Sequence, residues 1–145
     1  KKEATPYLKY AMNDIIQVFT EECECGNPGP RIKVLGRADD MLIVKGVNIY
    51  PSAIQNIISK YSEELSGALK IHLDRDPPLV TPPLRITAEL SKKFNKIKQD
   101  ILIDRIQEKI RNILRVKVEI SLVPFGSFER SVRKTVLIVR DDIIQ

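Results

Sequence analysis

Three runs of alternating side chains constrain this sequence most. Leu69, Ile71 and Leu73 alternate with Lys70 and His72; Leu84, Ile86, Ala88 and Leu90 form a second run; Val116, Val118, Ile120 and Leu122 form a third, which Pro124 ends. A period of two places the apolar residues of each run on one face of a strand. Three one-sided strands make a sheet whose apolar face must be covered, and the sequence supplies the cover. Pro51-Ser52 opens a helix with Ile54, Ile57, Ile58 and Tyr61 on one face. Ile97, Ile101, Ile106, Ile110 and Ile113 predict a longer amphipathic helix over residues 95–114. The expected fold class is α+β, a two-layer sandwich with a small, mainly antiparallel three-stranded sheet covered by two helices. Residues 74–83 contain four prolines and read as a loop.

Ahead of this unit, residues 7–10, 15–19 and 31–35 read as short β segments, joined by the turn-rich Cys25-Gly26-Asn27-Pro28-Gly29-Pro30. Residues 1–36 are too few to hold a core and are expected to be the tail of a larger upstream domain. Residues 37–145 are expected to form the α+β domain. With 43% hydrophobic and 30% charged residues, the composition is that of an ordinary soluble protein. No apolar run reaches the length of a membrane span, so no membrane association is expected. The chain starts Lys-Lys-Glu-Ala, without a signal-peptide pattern or an initiator methionine, and reads as a fragment.

The net charge of +5 suits a phosphate-bearing ligand without demanding one. Lys92, Lys93, Lys96 and Lys98, with Phe94 among them, read as the solvated start of a helix; the competing reading is contact with nucleic acid or another phosphate. His72, the one histidine, falls at a polar-facing strand position and reads as a surface residue. Cys23 and Cys25 could supply half of a tetrahedral zinc site, with two ligands from elsewhere. The other reading is two free thiols in a reducing cytoplasm, since a disulfide between residues two apart would be strained.

Gly36-Arg37-Ala38-Asp39-Asp40-Met41-Leu42-Ile43-Val44-Lys45-Gly46-Val47-Asn48-Ile49-Tyr50-Pro51 is the most informative block. Gly36 relieves backbone strain at a charged turn, and a hairpin is expected across Asp39-Asp40. Residues 41–44 form an apolar strand that Lys45-Gly46 breaks. The block resembles the hinge motif of adenylate-forming enzymes, and its continuation is similar to the phenylacetate–coenzyme A ligase branch. Upstream, Tyr10-Ala11-Met12-Asn13-Asp14 resembles that family's Tyr-Arg-Thr-Gly-Asp strand, keeping the tyrosine and the aspartate. Downstream, Arg130-Ser131-Val132-Arg133-Lys134 resembles its Arg-Ser-Glu-Gly-Lys loop, with arginine in place of glycine.

The resemblance implies the C-terminal portion of an ATP-dependent acid–coenzyme A ligase, probing no acid specificity of its own and inactive as an isolated fragment. It implies Lys134 as the catalytic cation at the α-phosphate of ATP. It implies Asp14 at the ribose hydroxyls, Arg37 near the ribose or phosphates, and Asp39 as the hinge, with Asp40 its rival. Gly46, Val47 and Asn48 would line the path of the coenzyme A thiol. ATP, coenzyme A and Mg2+ are the implied cofactors, held mainly by the missing upstream domain. The implied partners are that domain and an aryl or other carboxylic acid, with no nucleic acid; oligomeric state is left open, a dimer included. Three alternatives stay open: a basic non-enzymatic α+β binding module, an adenylating relative with another substrate or acceptor, and a degenerate ligase retained for regulation.

Overall fold

The computed structural model describes residues 11–94, 99–129 and 137–141. In chain order the elements are β1 (Asp14–Phe19), β2 (Arg31–Arg37), β3 (Leu42–Val44), β4 (Val47–Ile49), α1 (Pro51–Ile58) and β5 (Leu65–Leu73). β6 (Leu79–Val80), β7 (Leu84–Leu90), α2 (Gln99–Leu114), β8 (Val118–Val123) and β9 (Ile138–Arg140) follow. One 3-10 turn, Ser59–Tyr61, extends α1.

β1 and β2 pair as an antiparallel ribbon. The main sheet runs β8-β7-β5-β9, and a smaller one runs β4-β3-β6. Every buried hydrophobic residue among the described ones lies between Leu42 and Ile120, so the core starts only after the charged block. Leu65, Leu69, Ile71 and Leu73 of β5 and Leu84, Ile86, Ala88 and Leu90 of β7 contribute to it. Ile54, Ile57 and Ile58 of α1 and Leu102, Ile106 and Ile110 of α2 close the same cluster. The α+β class and the two covering helices are therefore as expected.

Four details differ. The main sheet has a fourth strand, β9, and two of its three pairings are parallel: β7 with β8 and β5 with β9. For β7 and β8 the reason is connectivity, because α2 carries the chain back across the sheet before β8, and a crossover returns a strand in the same direction. The hairpin is not across Asp39-Asp40, since β2 spends its ladder on β1; it joins β3 to β4 through Lys45-Gly46. Both turn residues have positive φ, 49° and 80°, the two-residue turn whose twist matches its strands and which favours glycine at the second position. The proline-rich loop includes β6, which pairs parallel with β3 and so ties the hairpin to the domain. Finally, Ile101 and Ile113 of α2 face solvent. The buried stripe is Leu102, Ile106 and Ile110, one residue per turn, because leucine as well as isoleucine defines the apolar face.

His72 is only a quarter exposed, and both ring nitrogens are engaged: Nδ1 with Asp141 Oδ1 at 2.9 Å and Nε2 with Thr87 Oγ1 at 2.8 Å. Arg85 pairs with the same Asp141. These contacts hold the chain beyond β9 against β5 and β7, so the histidine is a structural bridge rather than a free surface residue.

Candidate functional site

The antiparallel register of the ribbon brings two of the expected site residues together. Asp14 stands opposite Arg37, at the end of the ribbon that leads into the α+β domain. Ala38 N–H donates to Asn13 carbonyl oxygen at 2.8 Å, which continues the ladder one step past the strands. Asn13 has φ 58°, a left-handed conformation that asparagine tolerates better than most residues. It occupies the glycine position of the resembled strand motif, so that substitution preserves the backbone shape the turn needs.

Asp39 is held by Arg37 in a two-point pair: Nε donates to Oδ1 at 3.0 Å and Nη2 to Oδ2 at 2.7 Å. The bond to Asp39 is the main reason the guanidinium is held above its ordinary pKa; charge from Asp39, Asp14 and Asp40 adds to it. Both side chains are well exposed, at 38% and 48%. Solvent and salt weaken a pair of this kind, so it orders the junction without locking it. Asp14, Arg37, Asp39 and Asp40 thus form one charged cluster between ribbon and domain.

Gly36 has a role the sequence did not disclose. Its φ is not in the left-handed region, so backbone strain is not the reason for glycine. A Cβ there would lie 3.1 Å from Ser52 Oγ and 3.2 Å from Tyr50 Cδ1. Ser52 hydroxyl donates to Leu35 carbonyl oxygen at 2.7 Å, pinning the start of α1 to β2. The glycine permits the close approach of ribbon and helix.

Gly46 and Asn48 are exposed at the β3–β4 hairpin, with Val47 half-buried between them. Lys134 and its loop from Arg130 lie outside the described residues, as do Lys96 and Lys98. Their neighbours are described: Phe128 precedes the loop, and Leu137 carbonyl oxygen accepts from Ile71 N–H at 2.7 Å after it. Lys92 and Lys93 are exposed while Phe94 packs on the core.

Cys23 and Cys25 are free, with their Sγ atoms 2.8 Å apart. The hydrogen bond from Cys23, followed by a backbone bond at Asn27, holds the Cys25 thiol below its ordinary pKa. Two thiolates on one tetrahedral zinc, each at about 2.3 Å, would be separated by about 3.8 Å. The pair as held does not fit zinc, and no cluster of three or more His, Cys, Asp or Glu suited to a metal occurs among the described residues. Among them, no helix is long and apolar enough to cross a membrane.

Sequence reasoning missed Glu89. It is fully buried, on the face of the sheet away from the helices. Only its alternation with Ala88 and Leu90 was visible in sequence, and that pattern is shared by any surface glutamate on a strand.

Fold and junction define the chain as an α+β domain entered through a short charged connecting segment. It belongs to the AMP-binding enzyme C-terminal domain family, whose model matches residues 46–141. It is 32% identical to the phenylacetate-coenzyme A ligase of Thermus thermophilus across 90% of this chain and 32% of that protein. The chain spans about a third of the length of the curated relatives it matches. A solved domain of phenylacetate-coenzyme A ligase from Bacteroides vulgatus is 30% identical, with a TM-score of 0.57 over 71% of this chain and 95% of that one. A solved 2-hydroxyisobutyryl-CoA ligase in its postadenylation state is 25% identical, with a TM-score of 0.78 over 89% of this chain and 28% of that one. The same ligase in its thioesterification state, with the same shares covered and 24% identity, gives a TM-score of 0.58.

Proposed function

We propose that this chain is the C-terminal portion of an ATP-dependent acid–coenzyme A ligase, acting on an aryl acid such as phenylacetate. The reaction joins carboxylate to AMP with release of pyrophosphate, and then transfers the acyl group to the coenzyme A thiol. The observation that carries the reading is the junction: Asp14, Arg37 and Asp39 are gathered directly ahead of the family-matched domain, in the order the resembled motifs require.

In this reading residues 1–36 end the large domain and residues 37–145 are the mobile one. The ribbon supports that division. Ile16 stands opposite Val34 and Val18 opposite Ile32. All four are roughly half exposed or more, so the ribbon presents an apolar face that an upstream domain would cover. Asp14 would accept from the ribose hydroxyls, since a carboxylate offers acceptors only. Arg37 would reach the ribose or phosphates, exchanging part of its contact with Asp39 for the nucleotide.

Asp39 would be the pivot: an exposed residue in a turn, whose ion pair is weak enough to break, can change φ/ψ at small cost. The fall in TM-score between two states of one ligase is what a turn about such a pivot would produce. In one orientation Lys134 would face the α-phosphate, where a fixed cation stabilises the negative charge that accumulates as the carboxylate attacks. In the other, the hairpin at Gly46, Val47 and Asn48 would replace it beside the coenzyme A thiol. Mg2+ would be held by the upstream domain and supply charge neutralisation on the phosphates.

The test is acid-dependent ATP–pyrophosphate exchange by the full-length parent beside its Lys134→Ala variant. Exchange with phenylacetate that collapses by two or more orders of magnitude in the variant is expected, as for loss of a preorganised charge. Exchange that survives the substitution refutes the role of Lys134, and no exchange with any aryl or aliphatic acid refutes the ligase reading.

A further inference from the structure

We infer that Glu89 is a positioning residue for the adenylation step, clamping the stem of the segment that carries Lys134. The inference rests on the ligase reading above, but the clamp itself is made wholly of described residues. Glu89 lies on β7, on the face away from the helices, and is 0% exposed. Its Oε1 accepts from Gly126 N–H at 2.9 Å and from Phe128 N–H at 3.1 Å. Its Oε2 is 2.6 Å from the Ser66 hydroxyl, whose oxygen accepts in turn from Ala68 N–H at 3.2 Å. One buried carboxylate thus binds β5 to the chain that leaves β8.

A buried charged side chain is costly unless its hydrogen bonds repay the loss of water. Here two of them come from backbone N–H groups of the turn that leaves β8 and one from the Ser66 hydroxyl on β5. That turn is itself ordered, with Ser127 N–H and Oγ both donating to Pro124 carbonyl oxygen at 3.2 and 2.7 Å. Lys70 Nζ lies 4.9 Å from the centroid of the Phe128 ring, so the ring at the end of the stem is packed as well. Lys134 follows Phe128 by six residues in sequence. On the far side, Leu137 is bonded to β5. The described residues on either side of the lysine loop are thus bonded to β7 at Phe128 and to β5 at Leu137. A cation that must meet the α-phosphate within tenths of an ångström needs such a frame.

The bonds to Gly126, Phe128 and Ser66 depend on how far the side chain reaches, and two substitutions separate reach from charge. In Glu89→Gln the amide oxygen can take the place of Oε1, while the amide N–H donates to Ser66 Oγ, which has a second lone pair to offer. In Glu89→Asp the carboxyl group stays but retracts by about 1.5 Å, one carbon–carbon bond, and cannot span both N–H groups. The order of effects is therefore inverted from that of an electrostatic residue.

The experiment uses the full-length parent and measures its two half reactions separately. Adenylation is read as phenylacetate-dependent ATP–pyrophosphate exchange, with other aryl acids in a panel. Thioester formation is read from synthetic phenylacetyl-adenylate and coenzyme A, which needs no lysine at the α-phosphate. Glu89→Asp is expected to lower the exchange kcat by about 10- to 100-fold, with KM for ATP and for acid nearly unchanged. Its thioester formation is expected to stay within about two-fold of the parent, well below the cost of misplacing a reacting group. Glu89→Gln is expected to keep both. Equal losses in the two half reactions, an intact Glu89→Asp, or a Glu89→Gln that fails like Glu89→Asp would each overturn the clamp while leaving the ligase reading in place. A parent without exchange on any acid overturns the ligase reading, and the role of Glu89 in adenylation falls with it.

Discussion

Gly36→Ala tests how tightly the ribbon is seated on the α+β domain. The alanine can adopt the backbone, because φ at this position is not left-handed, and restricting the unfolded chain would favour it by about 0.4–1 kcal/mol. Against this, the new Cβ meets Ser52 Oγ at 3.1 Å and two atoms of Tyr50 at 3.2 and 3.3 Å. Such contacts must open by a few tenths of an ångström. Overpacking of this kind costs about 1–3 kcal/mol, and displacing Ser52 also weakens its bond to Leu35 carbonyl oxygen, worth about 0.5–1.5 kcal/mol. The net expectation is a loss of about 1–2 kcal/mol, which at a urea m-value of about 2 kcal/mol/M lowers the midpoint by about 0.5–1 M. Urea unfolding followed by circular dichroism measures it. Repeating the change on a Ser52→Ala background removes the nearest contact, so the cost there should be smaller. A stabilised Gly36→Ala, or the same cost in both backgrounds, would refute the close-approach argument.

Two further outcomes are expected. Ile106→Ala removes a fully buried side chain from the middle of the α2 stripe and should cost about 2–5 kcal/mol, read by the same denaturation; the exposed Ile113→Ala should cost far less. For the thiols, a lowered pKa means that Cys25 becomes the reactive thiolate at lower pH, so its alkylation rate should reach half-maximum below the ordinary thiol range. Because Cys23 is the largest cause, that midpoint should be higher in Cys23→Ala than in Cys23→Ser, whose hydroxyl still donates. Equal midpoints in the two single-cysteine proteins would remove Cys23 as the cause.

Much of the fold was legible in the sequence. The three alternating runs became β5, β7 and β8 with the expected residues inward, and Pro51 opened α1. The family was legible as well, from the Gly36–Pro51 block, and the family match over residues 46–141 agrees with it. These features are local: a period of two or 3.6, a proline at a helix start and a string of neighbouring residues are properties of the chain itself.

Long-range pairing decided the rest. β9 is three residues long and became a strand only because β5 had an open edge beside it. The direction of β8 was set by the helix that precedes it, and the hairpin moved to Lys45-Gly46 because β2 was already paired with β1. Gly36 was read as a strain-relieving turn residue, whereas the helix start at Tyr50 and Ser52, distant in sequence, decides its size. Alternation told which way Glu89 points but not whether anything covers that face. Only when the chain leaving β8 folds back over β7 does a carboxylate that looks like surface become a buried acceptor for Gly126 and Phe128. A strand's own sequence reports its periodicity; what lies against each face depends on where distant segments come to rest.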